Sequence, residues 1–273
     1  MSDESFLREM QRRARHLIVN TVYGSQAGHI GGPLSAVDLL IYLYFEYMVV
    51  DPGAPWLEGR DRFVLSKGHA SIALYTVLAL RGFFEVSELS SFDKAGSRLQ
   101  GHPDITRGLP GIDASTGSLG QGLSVGAGMA YGMKLKGNNG GQVVVMLGDG
   151  ELQEGQVWEA AEWVGQKRLT NLVVIVDMNG LSQFKWPSTF PSVESVSARW
   201  RALGWEVAII DGHCFDDMRR KLRRDVERAR PQAILAKTIK GKGVSFMEGQ
   251  VAWHSRVPSI DEVVRANNEI RRF

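Results

Sequence analysis

Residues 143–181 read VVVMLGDGELQEGQVWEAAEWVGQKRLTNLVVIVDMNGL. Two apolar runs rich in β-branched residues, 143–147 and 172–176, bracket a segment with helical periodicity. That pattern is strand, helix, strand, with both strands apolar enough to be covered on two faces. Asp149 follows the first strand between Gly148 and Gly150, and Asn179-Gly180 follows the second. In a right-handed βαβ unit both turns lie at the carboxyl ends of parallel strands, on one edge of the sheet. Two hard oxygen ligands then converge, with room for a backbone carbonyl as a third. Such a set suits magnesium or calcium, completed by phosphate oxygens. Gly148 and Gly150 let backbone approach a diphosphate, and a helix expected from near Glu151 turns its N-terminus toward it. An ordinary βαβ unit with Asp and Asn in its turns stays open on these residues alone.

The whole chain is consistent with one α/β domain. It has 273 residues, 44% hydrophobic and 23% charged, the balance of a globular fold. Its 32 basic and 30 acidic residues leave a net charge of +2, so no broad field points toward nucleic acid or membrane. The arginines clustered over 8–15 and 219–230 read as solvated helix faces. Cys214, the single cysteine, excludes an internal disulfide and fits a reducing compartment. The first residues lack an apolar signal core, and no run approaches the ~20 residues of a membrane span. The cytoplasm is the expected location.

Taken in order, Ser2 or Asp3 can cap a first helix with apolar positions Phe6, Met10, Ala14, Leu17 and Ile18. Pro33 suits the start of a very apolar helix over 34–48, which belongs in the core or at a subunit interface. A short strand is expected over 62–66 and a helix over 72–80. Thr116-Gly117-Ser118-Leu119-Gly120-Gln121-Gly122 opens a helix of small residues, suited to close packing on the sheet or on a second chain. Beyond the central unit come an irregular loop over 184–191, a helix over 192–203, a strand over 205–210, an arginine-rich helix over 215–228, a strand over 232–238 and a last helix over 258–272. This alternation predicts a doubly wound, mainly parallel sheet with helices on both faces.

Four histidines, His29, His69, His102 and His213, each follow a glycine in an expected loop, and His254 follows Trp253. A neutral imidazole in such a loop can donate and accept protons near neutral pH. Each one alone has a structural hydrogen-bonding alternative. Zinc is disfavoured, because the histidines lack short ligand spacings and the cysteine has no partner. No G-x-S-x-G nucleophile motif is present, and Gly148-Asp149-Gly150-Glu151-Leu152-Gln153 lacks the third glycine of a dinucleotide fingerprint. A carboxylate in that turn would repel a pyrophosphate unless a metal stood between them.

The ordered motifs GHIGGP, SKGHAS, GHPD, TGSLGQG, GDGELQEG, DGH and KTIKGKGVSFMEG leading to WHS, with Asn179 thirty positions after Asp149, resemble the N-terminal part of the transketolases. The likeness runs from about Arg12 to Pro258. It implies a thiamine diphosphate-binding fold in which Asp149, Asn179 and the carbonyl of Leu181 hold magnesium or calcium. It implies that Gly150 contacts the diphosphate and that Gly117, Ser118 and Leu119 touch the aminopyrimidine end. His69 and His254 fall on the diphosphate side, and Glu154 lies at the interface between paired sites. His29 and His102 reach toward substrate oxygens and, with His254, serve proton transfer and hydroxyl recognition.

Transketolases continue with a pyrimidine-binding domain and a C-terminal domain, which supply the glutamate that protonates the cofactor and most of the sugar-phosphate contacts. The resemblance therefore implies the small subunit of a split transketolase. A separate chain would complete an α2β2 enzyme that moves a two-carbon ketol unit from a ketose or its phosphate to an aldehyde. The helices at 34–48 and 120–132 are the expected contact surfaces, with plain core as the alternative. Another thiamine-dependent carbon–carbon enzyme, acyloin-forming or deoxyxylulose-phosphate-type, is an alternative, as is a non-catalytic cofactor-binding module.

Overall fold

The computed structural model describes residues 3–137, 140–182 and 191–273. Strands β1 (Arg62–Leu65), β2 (Val143–Gly148), β3 (Leu172–Met178), β4 (Glu206–Asp211) and β5 (Gln232–Lys237) form one parallel sheet in the order β1-β2-β3-β5-β4. The two strands read first from the sequence are its centre, and every residue of both is buried. Alternate side chains enter opposite layers, as the two-residue period of a strand requires. Val144, Met146, Val173 and Ile175 pack with helices α1 (Glu4–Ser25), α2 (Gly31–Tyr42), α3 (Ser71–Arg81), α7 (Phe215–Lys221) and α8 (Ile260–Ile270). Val143, Val145, Leu147, Val174 and Val176 pack with α4 (Gln121–Leu135), α5 (Gly155–Lys167) and α6 (Val193–Ala202). The fold is a parallel α/β sheet with helices on both faces.

Local chemistry sets the helix ends. Asp3 caps α1 by accepting the Ser5 amide, and Ser259 with Glu262 forms a reciprocal capping box on α8. The buried face of α1 runs through Leu7, Met10, Ala14, Ile18 and Val22, whereas Phe6 is largely exposed. On α4, an added Cβ at Gly126 would overlap Val145, so the small residues on that side let the helix lie directly on β2.

Four expectations change. The helix over 34–48 begins earlier, at Gly31, and its last turn, Leu43–Tyr47, widens into a single π turn closed by Met48 N–H on Leu43 C=O. Every residue of α2 is buried within this one chain, so α2 is core and offers no face to a partner. The arginine-rich helix ends at Lys221, because Leu222 leaves the helical region and no apolar periodicity follows it; Val226 is exposed. The helix expected near Glu151 is a short 3₁₀ turn, Gly150–Gln153, and the α-helix starts only at Gly155. The loop expected over 184–191 lies outside the described residues except for Pro191, as does Ser2.

Candidate active site

The carboxyl edge of the sheet opens into a cavity of about 520 Å³. In the register of β2 and β3, Gly148 pairs with Asp177, so the turns after both strands emerge side by side. They are tied together by one carboxylate: Asp149 accepts the Gly180 N–H at 2.7 Å and the Gly150 N–H at 2.8 Å. Asn179 turns on itself, its Oδ1 accepting the Leu181 N–H at 3.1 Å.

Loops from across the chain bring four imidazoles over these turns. The ring centroid of His29 lies 5.2 Å from His69, 6.4 Å from His102 and 5.1 Å from His254. His29, His69, His102, Gly117, Leu119, Asp149, Gly150, Glu154, Asn179, Leu181 and His254 all line the cavity; exposed Ser118, between Gly117 and Leu119, does not. A second cavity of about 640 Å³ lies beyond His29 and His102, along Asp93, Gln100 and Ser255.

Two lysines in the wall fall within the motifs, yet the sequence assigns them no role. Lys67 is buried and pairs with Asp177 at 2.5 Å. Asp177 also accepts from Ser35 Oγ at 2.6 Å and from Thr238 Oγ1, so every side-chain oxygen is engaged. Lys240, 2% exposed, donates to the Ser182 carbonyl at 2.9 Å and sits 2.8 Å from His254 Nδ1. The local signal for both is a lysine before a glycine, in Lys67-Gly68-His69 and Lys240-Gly241. Gly32, in the first turn of α2, also edges the cavity. The positive end of a full α-helix therefore borders the site at α2, as does the start of α5, whose N-cap Glu154 lines the cavity.

Burial sets the electrostatics. It pushes the Asp149 carboxyl up to about 7, with the neighbouring Asp177 charge adding to the shift. Burial also acts upward on Asp177, but Lys67 and its hydrogen bonds hold that carboxyl below the usual range. His254 falls to about 4 through burial and Lys240, and His69 falls well below its ordinary value through burial and Lys67. His29 is lowered by burial and His102. Burial and Lys67 bring Lys240 down to about 8. These three imidazoles are therefore neutral at pH 7, able to donate through one nitrogen and accept through the other.

Asp149, Asn179 and the Leu181 carbonyl offer a carboxylate, an amide and a backbone oxygen, the hard donor chemistry that a divalent cation takes. A buried carboxyl shifted upward is one that a cation beside it would return to the charged form. Among the described residues no group of three or more His, Cys, Asp or Glu side chains forms a metal site.

A parallel sheet with a polar cavity at its carboxyl edge, rimmed by glycine turns and helix starts, is the architecture of a cofactor-phosphate-binding domain. The model of the family described as transketolase, thiamine diphosphate binding domain, matches residues 7–270, and the chain belongs to that family. It is 42% identical over 257 residues to one subunit of the apulose-4-phosphate transketolase of Phocaeicola vulgatus, covering 94% of this chain and 90% of that one. It is 41% identical to the 6-deoxy-6-sulfo-D-fructose transketolase subunit SqwG of a Clostridium species, covering 88% and 87%. A solved transketolase from Campylobacter jejuni superposes with a TM-score of 0.91 at 30% identity, covering 99% of this chain and 43% of that one. The chain thus spans under half the length of that transketolase and nearly all of the two subunits. Among the described residues no helix is long and apolar enough to cross a membrane.

Proposed function

We propose that this chain is the diphosphate-binding subunit of a split, cytoplasmic transketolase, a single domain whose pyrimidine and C-terminal domains reside on a partner polypeptide in an α2β2 assembly. The reading rests on one observation above all: the Asp149 and Asn179 turns, two buried lysines and four imidazoles line one cavity. The subunit-length relatives support the division into two chains.

In this reading Asp149, Asn179 and the Leu181 carbonyl hold magnesium or calcium on the diphosphate. Lys240, Gly150 and His69 complete the phosphate side. Gly117, Ser118 and Leu119 face the aminopyrimidine, and Glu154 borders the paired site. Thiamine diphosphate, when bound, supplies the chemistry that breaks and remakes the carbon–carbon bond. The protein's own share is orientation and proton handling. His29, His102 and His254 bind the hydroxyls of a ketose or ketose phosphate and move protons at its oxygens while a two-carbon unit passes to an aldehyde; burial and neighbouring charged groups keep His29 and His254 neutral.

Calorimetry of the chain, alone and with its partner, tests the site. Thiamine diphosphate with magnesium should bind, and Asp149→Ala should weaken binding by about a hundredfold. Unchanged binding in that variant would overturn the assignment. Conversion of xylulose 5-phosphate and ribose 5-phosphate by this chain alone would overturn the split-subunit reading.

A further inference from the structure

Behind the loop that carries Lys240 lies a second buried polar cluster, which lines neither cavity. Arg15 of α1 and Asp38 of α2 are wholly buried and joined by two bonds of 2.7 Å. Asp38 Oδ2 lies 2.8 Å from Nδ1 of His213, in the turn after β4. The other ring nitrogen, Nε2, accepts the backbone N–H of Ile239 at 2.9 Å. A nitrogen that accepts an N–H carries no proton, and an ionised Asp38 only accepts. The geometry therefore assigns the Nδ1–H form to His213. Against the upward push of burial, Arg15 and His213 hold Asp38 at about 2, so it is ionised at any working pH.

The cluster grips the loop on both sides of Lys240. His213 holds it at Ile239, and Arg15 Nε donates to the Lys242 carbonyl at 3.0 Å. Gly243, at φ +94°, leaves room where a Cβ would stand 2.7 Å from Arg15 Nε. On the cavity side, Gly241 N–H donates to the Gly31 carbonyl at 2.9 Å, and a Cβ on Gly31 would stand 3.0 Å from Lys240 Cγ. Ile239 itself is 38% exposed, so apolar burial does not anchor the loop there. A fully buried ion pair adds little net stability over apolar packing, and what it supplies is a fixed register.

We propose that His213 is a positioning residue: it holds the 239–243 loop, and through it the Lys240 ammonium, at the cavity wall, while the Arg15–Asp38 pair fixes its tautomer. What Lys240 faces rests on the cofactor reading above; the clamp itself does not need the cofactor.

Two substitutions separate positioning from simple satisfaction of Asp38. The amide of His213→Asn reaches the place of Nδ1 and keeps the bond to Asp38. That of His213→Gln reaches the place of Nε2 and keeps the bond to Ile239. The readout is the labelling rate of Lys240 by an amine-reactive reagent at fixed pH, on the purified ligand-free chain, followed by mass spectrometry. The Asn variant should label roughly fivefold faster than wild type, the effect of losing one hydrogen bond that holds the loop closed, and the Gln variant within about twofold. The reverse order, or equal rates in all three folded proteins, overturns the proposal. Should the Asn variant not fold, hydrogen exchange at Ile239 of the wild-type chain decides: an unprotected amide overturns it. Thiamine diphosphate binding, measured on the same samples, reports separately. A wild-type chain that fails to bind removes the cofactor reading and leaves the labelling order to stand by itself.

Discussion

At the level of single residues, the cavity holds groups that burial has pushed against their charged forms. Asp149 sits near 7 rather than the ordinary 3.8, so the folded chain binds a proton that the unfolded chain releases. Its stabilising contribution is complete below about pH 4 and is lost as pH rises through 7. His254 runs the other way: its contribution is full above 6.5 and is lost as pH falls toward 4. Two outcomes follow. In denaturant titrations of the ligand-free chain, Asp149→Asn should flatten the loss of stability between about pH 4 and pH 7. Lys67→Met should cost about 3 kcal/mol, because Asp177 is left buried and unpaired. An unchanged pH slope in the first, or a loss below about 1 kcal/mol in the second, would contradict these charges. The acidic turn and the histidines were legible because Gly-Asp-Gly and Gly-His are local patterns. The lysines were not, since the partner that defines Lys67 lies on the end of another strand, and burial across 110 positions leaves no local mark.

Among the elements, α4 has two faces of the same composition and opposite meaning. Gly126 touches Val145 of β2, whereas Gly128 has nothing near it. Gly126→Ala should destabilise the chain by about 1–3 kcal/mol. Gly128→Ala should be neutral or stabilise by up to ~1 kcal/mol; thermal unfolding of the two variants reads the difference. Small residues were legible as a sign of close packing, but the sequence does not say on which side of the helix the neighbour stands. The same limit shortened α7: arginines favour a helix, yet past Leu222 no apolar face remains to hold one. Here tertiary packing decided over propensity.

In the molecule as a whole, the fold was legible because β2 and β3 are apolar on both faces, which only a sheet covered on both sides satisfies. Which surface is left uncovered was not, since the helix judged too apolar for anything but core or interface proved to be core. The outer face of α4 is uncovered in this chain, with Val125 39% and Leu135 69% exposed beside the open Gly128 and Gly132, and it is the face on which the contact-surface reading can be tested. Gly128→Arg should leave the unfolding temperature of the isolated chain nearly unchanged and weaken partner binding at least ~tenfold. Equal affinity in a pull-down titration would place the partner elsewhere. Helix α2 ties these scales together. At every third residue it meets a different part of the site: Gly32 at the cavity, Ser35 on Asp177, Asp38 on Arg15 and His213. Such a rod cannot slide for one of them alone. Amide protons along α2 and at the carboxyl ends of β3 and β5 should therefore exchange with solvent as one cooperative unit, and the site should open whole or not at all.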